Sequence, residues 1–548
     1  MVRSSVRGDG TRPGVQHAAE RGGHGGSHAG AEPEGSGDGN SRHGRPRRRR
    51  KHRILRWSAT AVAIVVLGTA GAGYLYYQHL NGNIRKGQRS SGASKAEKAA
   101  PNAAGQTPLN ILLIGSDSRN SAENLKLGGS KQSVGSKPLG DVQMLIHLSA
   151  DRKSAAVVSI PRDTRVDIPK CTDPETGDIY QATNDIINTS LQRGGAGCTL
   201  ATWQNLTKGV YIDHWMTIDF AGVVRMADAV GGVEVCVQQN VHDRPLPRVP
   251  GGSGLKLTAG KKKVTGKQAL QWLRTRHAWG SDIQRAKAQH MYMNSMIRTL
   301  REQNVFTDSG RLMKLAEAAT KSLKVSEEIG SVKKLYDLGM QLKTVPTNRI
   351  TMLTMPTAED PLDANHLIPA AGADKIWAMI RDDVPFDKNG DASKKKATAS
   401  AVRTSEDLAA ADGEIGVVVQ NATGAEGQGA VNGRANAVTA VLTGKGFARA
   451  TADRTTATGQ AKTVVRYPSA ELAGDALAVA KALGIPTSSV EKTTAVSGVT
   501  VIVGADWRSG STYPKQTTPK AGDVPAGSDA LNGAKTDACM PVYAPYRF

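Results

Sequence analysis

Two groups of charged side chains in this chain sit beside apolar runs. In the first, Asp117 and Arg119 follow Leu109–Ile114, Asp141 precedes Val142–Leu148, and Arg162 and Asp163 follow Ala155–Ile160 behind Pro161. In the second, Arg274 and Arg276 close the segment Lys267–Arg276, and Asp282, Arg285 and Gln289 recur just beyond it. Carboxylates offer oxygens to a hard divalent cation, and guanidinium forks offer paired donors to phosphate. A site holding both can stabilise the charge that develops in phosphoryl chemistry.

The elements around these residues must bring them together. The three apolar runs are too short for helices and rich in Ile, Val and Leu, which predicts buried strands, with Val166–Ile168 as a possible extension. If the middle strand runs antiparallel to the other two, Asp117, Asp141, Arg162 and Asp163 share one rim of the sheet. Asp219–Val230 is predicted as a helix ended by Gly231-Gly232, before a strand Val233–Val237. Lys267–Arg276 is predicted as a second helix, and Ser281 caps a third that runs to about Glu302. Ile283, Ala286, His290, Met293, Ile297 and Leu300 form its apolar stripe, while Asp282, Arg285 and Gln289, at i, i+3 and i+7, share a neighbouring one. A single Asp–Arg pair on a helix is usually a surface salt bridge of small energetic value, and arginines at a helix C-terminus are favoured by its dipole. Several arginines beside elements that must pack instead call for an anionic partner.

The chain has 548 residues and a formal net charge of +22. Its basic excess is partly local. Arg45–Arg56 is dense in arginine, and residues 1–56 as a whole are too polar to bury a core, predicting a disordered basic tail. Residues 57–78 carry no charge over Trp57–Tyr77 and predict a transmembrane helix, with arginines placing its N-terminal side in the cytoplasm. The span accounts for the arginine run, so no nucleic-acid partner is expected, and no G-x-S-x-G elbow surrounds Ser116 or Ser118. Residues 79–107 read as a linker. Cys171 and Cys198 bracket a Gly- and Pro-containing excursion, and in an oxidising compartment they are natural disulfide partners worth about 3 kcal/mol. Cys236 and Cys539 are left over, and their pairing stays open.

The runs NILLIGSDSR, GDVQMLIHL, VVSIPRDTRVDIP, GKQALQWLRTRH and GSDIQRAKAQ, in that order after one membrane span, resemble the LytR-CpsA-Psr family over about residues 108–385. The resemblance implies an α/β fold: a membrane-anchored α/β/α sandwich with a central mixed sheet. It also implies an extracytoplasmic transferase that moves a glycopolymer from a polyprenyl-pyrophosphate carrier onto peptidoglycan, using Mg2+ or another divalent cation such as Mn2+. Asp117 and Asp141 fall at the family's metal-binding acids. Arg119, Arg162, Arg274, Arg276, Arg285 and Gln289 fall at positions that hold pyrophosphate. Arg162, Asp163, Arg276 and Asp282 are the candidate catalytic set, with Asp163, Asp141 or Asp282 as general base. Met216, Phe220, Val223, Met226, Met291 and Met296 are candidates for an apolar slot taking the lipid.

The chain departs from the family pattern where Gly140-Asp141-Val142 replaces Ser-Asp-Thr, removing a hydroxyl beside the metal acids, and in Thr183–Asn188. After a linker at 386–413, residues 414–508 resemble the LytR C-terminal domain, a second, smaller α/β domain without a catalytic cluster. Residues 509–548 are expected to be mostly loose. Two rival functions use the same residues: a hydrolase of the lipid pyrophosphate, and a wall-polymer binding protein without catalysis. A transcriptional regulator is discounted, since it would need a DNA-reading helix on the cytoplasmic side.

Overall fold

The computed structural model describes residues 48–99, 101–102, 104–118, 121–128, 134–303, 308–370, 372–388, 409–424, 429–457, 459–460, 462–514 and 519–548. The expected disorder of the first residues therefore falls mainly outside the described part. The chain divides into two units at Ala72 and Gly73. One helix, Arg48–Asn83, begins within the basic run. Its Arg53–Asn83 portion is long and apolar enough to cross a bilayer, and none of that apolar window is buried by protein, as a single-pass anchor requires.

The larger unit contains a mixed α/β domain built on an eight-stranded sheet. Its strands run in the order Arg85–Gly87, Leu323–Ser326, His214–Ile218, Leu109–Ser116, Gly140–Leu148, Ala155–Ile160, Ile350–Thr354 and Leu531–Asn532. Gly140–Leu148 is antiparallel to both of its neighbours, so the rim expected from the sequence forms. Period-two alternation gives the sheet two apolar faces. Leu112, Ile114, Leu145 and Val158 pack on one side with Trp203 and Trp377, from the helices Gly195–Leu206 and Gly372–Arg381. Met144, Val157 and Met352 pack on the other with Trp272 and Ala288, from the helices Gly266–Arg274 and Asp282–Glu302. Both disulfides are formed, Cys171–Cys198 and Cys236–Cys539.

Three expectations change. Val166–Ile168 does not extend the main sheet: Arg165–Ile168 forms its own antiparallel pair with Thr183–Ile186. The segment read as a linker pairs Arg85–Gly87 with Lys324–Ser326 and sends Lys98 to Asp213 at 2.9 Å. The closing segment, expected to be loose, adds Leu531–Asn532 to the sheet edge and is tied down through Cys539. In both cases main-chain pairing, with a salt bridge in the first and a disulfide in the second, replaces the apolar periodicity that a sequence pattern detects.

A five-stranded sheet forms the second domain, in the order Ala450–Thr456, Val417–Asn421, Val499–Val503, Val464–Tyr467, Val490–Lys492. Arg434–Gly444 and Ala473–Leu483 supply helices to its core around Val438, Leu442, Val479 and Trp507. The chain leaves the first domain near Pro385 and re-enters it beside the same residue, where Gly522 N–H donates to Pro385 O at 3.0 Å.

Candidate active site

A β-bulge shapes the rim. Gly115 pairs with Val142 but Ser116 pairs with Gly140, leaving Asp141 as the extra residue. In an unbroken strand Asp141 would share the face of Gln143, which is buried and accepts from Trp203 Nε1 at 2.6 Å. The bulge lets Asp141 line the same cavity as Val142 and Met144. The bulge also accounts for Gly140. A Cβ there would lie 2.9 Å from Gln143 Nε2, so the serine of the family pattern has no room beside this glutamine.

The cavity has a volume of about 570 Å³. Asp117, Asp141, Arg162, Arg276 and Arg285 stand among its lining residues, and Met216, Phe220, Val223, Met226, Met293 and Met296 supply apolar lining. Met291 does not belong to this cavity. It lines a separate small cleft with Val235, on the face of the helix Asp282–Glu302 turned to the core.

Within the rim, Arg162 Nη1 donates to Asp141 Oδ1 at 2.9 Å, and its Nε lies 3.5 Å from Asp163 Oδ2. Asp282 stands between two guanidiniums, 3.0 Å from Arg285 Nη2 and 3.4 Å from Arg276 Nε. The predicted caps and spacing explain this placement: Ser281 Oγ accepts from Gln284 N–H and starts the helix so that Asp282 and Arg285 fall on one side. Ile283, predicted for the buried stripe, is 39% exposed instead. The preceding helix ends at Arg274, so Arg276 sits on a turn beyond it.

Burial lowers the proton affinity of Arg162, but the carboxylates of Asp141, Asp163 and Asp282 outweigh it and leave the guanidinium above its usual value. Arg285 goes the other way: burial pulls it down more than Asp282 lifts it. Asp163 is pushed up, by burial first, with Asp282 adding to the effect against the pull of Arg162. Asp163 and Asp282 are not among the lining residues of this cavity but pair with its arginines, and Asp282 shares a smaller cleft with Asp141, Arg162 and Arg285.

The remaining candidates have other neighbours. Arg274 lines the cavity, yet its fork donates to Leu127 O at 2.9 Å and Gly128 O at 3.2 Å while it stacks on Phe220 at 4.5 Å. It ties the end of the short helix Ala122–Lys126 to the helix Gly266–Arg274. Gln289 donates to Leu273 O at 3.1 Å and joins the two helices. Arg119 lies outside the described residues. Asp117 is buried, and its Oδ1 accepts from Leu139 N–H at 2.7 Å.

No cluster of three or more His, Cys, Asp or Glu side chains suited to a metal occurs among the described residues. A magnesium ion does not need one: one or two carboxylates, waters and substrate phosphates complete its octahedron. Asp117 and Asp141, lining one cavity with guanidiniums beside them, fit that donor set.

Sequence reasoning missed Asp243 and Ser253. Both line the cavity. Asp243 is buried and accepts from Ser253 N–H at 2.7 Å and Ala278 N–H at 3.2 Å, and Ser253 Oγ lies 2.6 Å from Thr275 Oγ1. They brace the turn that carries Arg276. The only local hint was the Gly251-Gly252 pair, whose positive φ values let the loop fold back on Asp243.

Residues 74–381 match the LytR_cpsA_psr family, and residues 414–507 match the LytR cell envelope-related transcriptional attenuator domain. The chain is 27% identical to the cell wall biosynthesis protein LcpA of Corynebacterium glutamicum over 485 residues, covering 81% of this chain and 86% of that protein. It is 25% identical over 216 residues to the polyisoprenyl-teichoic acid–peptidoglycan teichoic acid transferase TagU of Enterococcus faecalis, covering 39% of this chain and 60% of that one. Among solved structures, the LytR-Csp2A-Psr enzyme from Actinomyces oris aligns over 54% of this chain and 96% of its own, at a TM-score of 0.40 and 17% identity. With more than half of its length matched to the family, this chain belongs to the LytR-CpsA-Psr family.

Proposed function

We propose that this chain is an extracytoplasmic phosphotransferase that moves a glycopolymer from a polyprenyl-pyrophosphate carrier onto peptidoglycan. The observation that carries the reading is a single cavity with an apolar lining that also presents Arg162, Arg276, Arg285, Asp117 and Asp141. An amphiphile with a doubly charged head and a long hydrocarbon tail matches both parts. The relatives named as teichoic acid transferases point to the same class of donor. The helix Arg53–Asn83 anchors the protein, with the basic N-terminal side in the cytoplasm and the domains outside.

In this reading Arg162 and Arg285, held by Asp141 and Asp282, grip the pyrophosphate oxygens, and the half-exposed Arg276, also beside Asp282, adds a third guanidinium. A sugar hydroxyl of peptidoglycan attacks the phosphorus next to the glycopolymer. The bond from that phosphorus to the bridging oxygen breaks, polyprenyl phosphate leaves with the electron pair, and a phosphodiester joins the glycopolymer to the wall. The hydroxyl proton passes to a rim carboxylate. Asp117 and Asp141 would hold Mg2+ or Mn2+, which supplies charge neutralisation to the phosphates when bound. The arginines do the rest by position and field.

The test is transfer by the full-length protein in detergent, with a lipid-pyrophosphate-linked glycan, Mg2+ and peptidoglycan fragments. Arg162→Ala and Arg285→Ala are expected to abolish product. Release of lipid phosphate at the same rate without acceptor would replace transfer by hydrolysis, and full turnover in either variant would remove the arginines from the mechanism.

A further inference from the structure

Arg276 lies between the end of the helix Gly266–Arg274 and a single 3-10 turn, His277–Trp279. Thr275 is extended, Arg276 has φ −123° and ψ −55°, and Gly280 reverses the chain at φ +87°. The Arg276 side chain is half-exposed, with Asp282 at 3.4 Å. Its aim therefore depends on the backbone of His277–Gly280. Asp243 holds that backbone at Ala278 N–H, and further contacts come from more than 260 residues later in sequence, beyond the second domain. Tyr543 N–H donates to Ala278 O at 2.8 Å, the Tyr546 ring stacks on His277 at 6.2 Å and 26°, and Tyr543 lies 3.9 Å from the Cβ position of Gly280. His277 itself lines the cavity.

This returning segment is fixed independently of the turn. Met540 N–H donates to Cys236 O and Gln238 N–H to Met540 O, both at 2.9 Å, and Cys539 is bonded to Cys236. Val542 N–H donates to Gln239 Oε1 at 3.0 Å. Upstream, Leu531–Asn532 is paired to the sheet edge. Met540, Val542 and Tyr546 are buried in the core that also holds Trp272 and Trp279. Such burial goes beyond what a solvent-exposed tail would achieve.

We propose that Leu531–Phe548 is a strap that positions Arg276 for the pyrophosphate, with Tyr543 and Tyr546 as positioning residues acting through His277 and Ala278. The inference rests on the reading of Arg276 as a pyrophosphate ligand. It makes the site a composite: its arginine turn is completed by chain that follows the second domain, so loss of the strap weakens donor binding even though every rim residue remains.

The test measures binding of geranylgeranyl pyrophosphate to the full-length protein in detergent, alongside melting temperature and transfer kinetics. Tyr546→Ala is expected to weaken binding and raise the donor KM roughly tenfold, the loss of one charge-assisted contact. Because Tyr546 is buried, the melting temperature should fall, so binding is read well below it, and kcat should change less than KM. Tyr546→Phe keeps the ring and should restore wild-type affinity. Arg276→Ala added to Tyr546→Ala should cost little more than either alone. Unchanged affinity in Tyr546→Ala, or fully additive losses, would overturn the strap while leaving the pyrophosphate reading intact. Normal binding in both Arg162→Ala and Arg276→Ala would instead overturn that reading. If Tyr546→Ala does not fold, Cys539→Ser decides by amide exchange: faster exchange at 277–280 with protected central strands supports the strap, and unchanged exchange there overturns it.

Discussion

Arg162 Nη1 lies 2.9 Å from Asp141 Oδ1, joining the residue after one strand to the bulged residue that opens its neighbour. Each side chain orients the other, and each also faces the cavity. Asp141→Asn keeps the shape but removes the charge that aims Arg162 and offers an oxygen to the cation. Transfer at fixed Mg2+ should fall roughly tenfold to a hundredfold, with partial recovery as Mg2+ is raised. A titration of rate against Mg2+ checks this; an unaltered half-saturation point counts against Asp141 as a ligand.

Asp282 lies between Arg276 and Arg285. Asp282→Ala leaves a buried guanidinium without its carboxylate, which should cost about 1–3 kcal/mol of stability. Donor affinity should fall as well, because Arg285 loses its fixed direction. Chemical denaturation and donor binding measured on the same preparation separate the two effects, and a stable variant with normal affinity would exclude Asp282 as an orienting group.

His290 is fully buried and neutral, its pKa lowered to about 4 by burial. A depressed folded-state value gives stability that is complete above the unfolded pKa of 6.5 and is lost as pH falls from there towards 4. The loss amounts to about 3 kcal/mol over that window. The melting temperature should decline on acidification below pH 6.5, and His290→Leu should flatten the decline. An equally steep acid limb in the variant would assign it to other groups.

The Cys171–Cys198 bridge closes a loop of 27 residues at the base of the core containing Trp203. Replacing both cysteines by serine should lower stability by about 2–4 kcal/mol. The comparison is a denaturant midpoint with and without the bridge under non-reducing conditions.

Gly140→Ser, which restores the family's residue, should destabilise this chain by about 1–3 kcal/mol because Gln143 fills the space. Gly140→Ser combined with Gln143→Ala should recover part of that loss. A single variant as stable as the parent would show that Gln143 moves aside freely.

Much of the site was legible because its parts are local. Strand runs, the Ser281 cap and the i, i+3 spacing of Asp282 and Arg285 are set by neighbouring residues, and the antiparallel order then places Asp117, Asp141 and Arg162 on one rim. The second domain was read from its resemblance to the LytR C-terminal domain, while its edge strands Ala450–Thr456 and Val490–Lys492 carry few apolar residues and gave no strand signal. The bulge at Asp141 was hidden because nothing in Gly-Asp-Val specifies an extra residue until the partner strand is known. Arg274 and Gln289, which the resemblance places at the pyrophosphate, line the cavity and also donate to the carbonyls of Leu127, Gly128 and Leu273, contacts that residue spacing does not predict. The contacts of Asp243 with Ala278 and of Tyr546 with His277 cross long sequence separations, where residue spacing carries no information.

The Cys236–Cys539 bond encloses the whole second domain within one covalent ring of the first. A single protease nick anywhere between Phe386 and Val524 would therefore release no fragment: the pieces would migrate together until a reductant opened the ring, and the severed domain would stay attached to the enzyme that carries it.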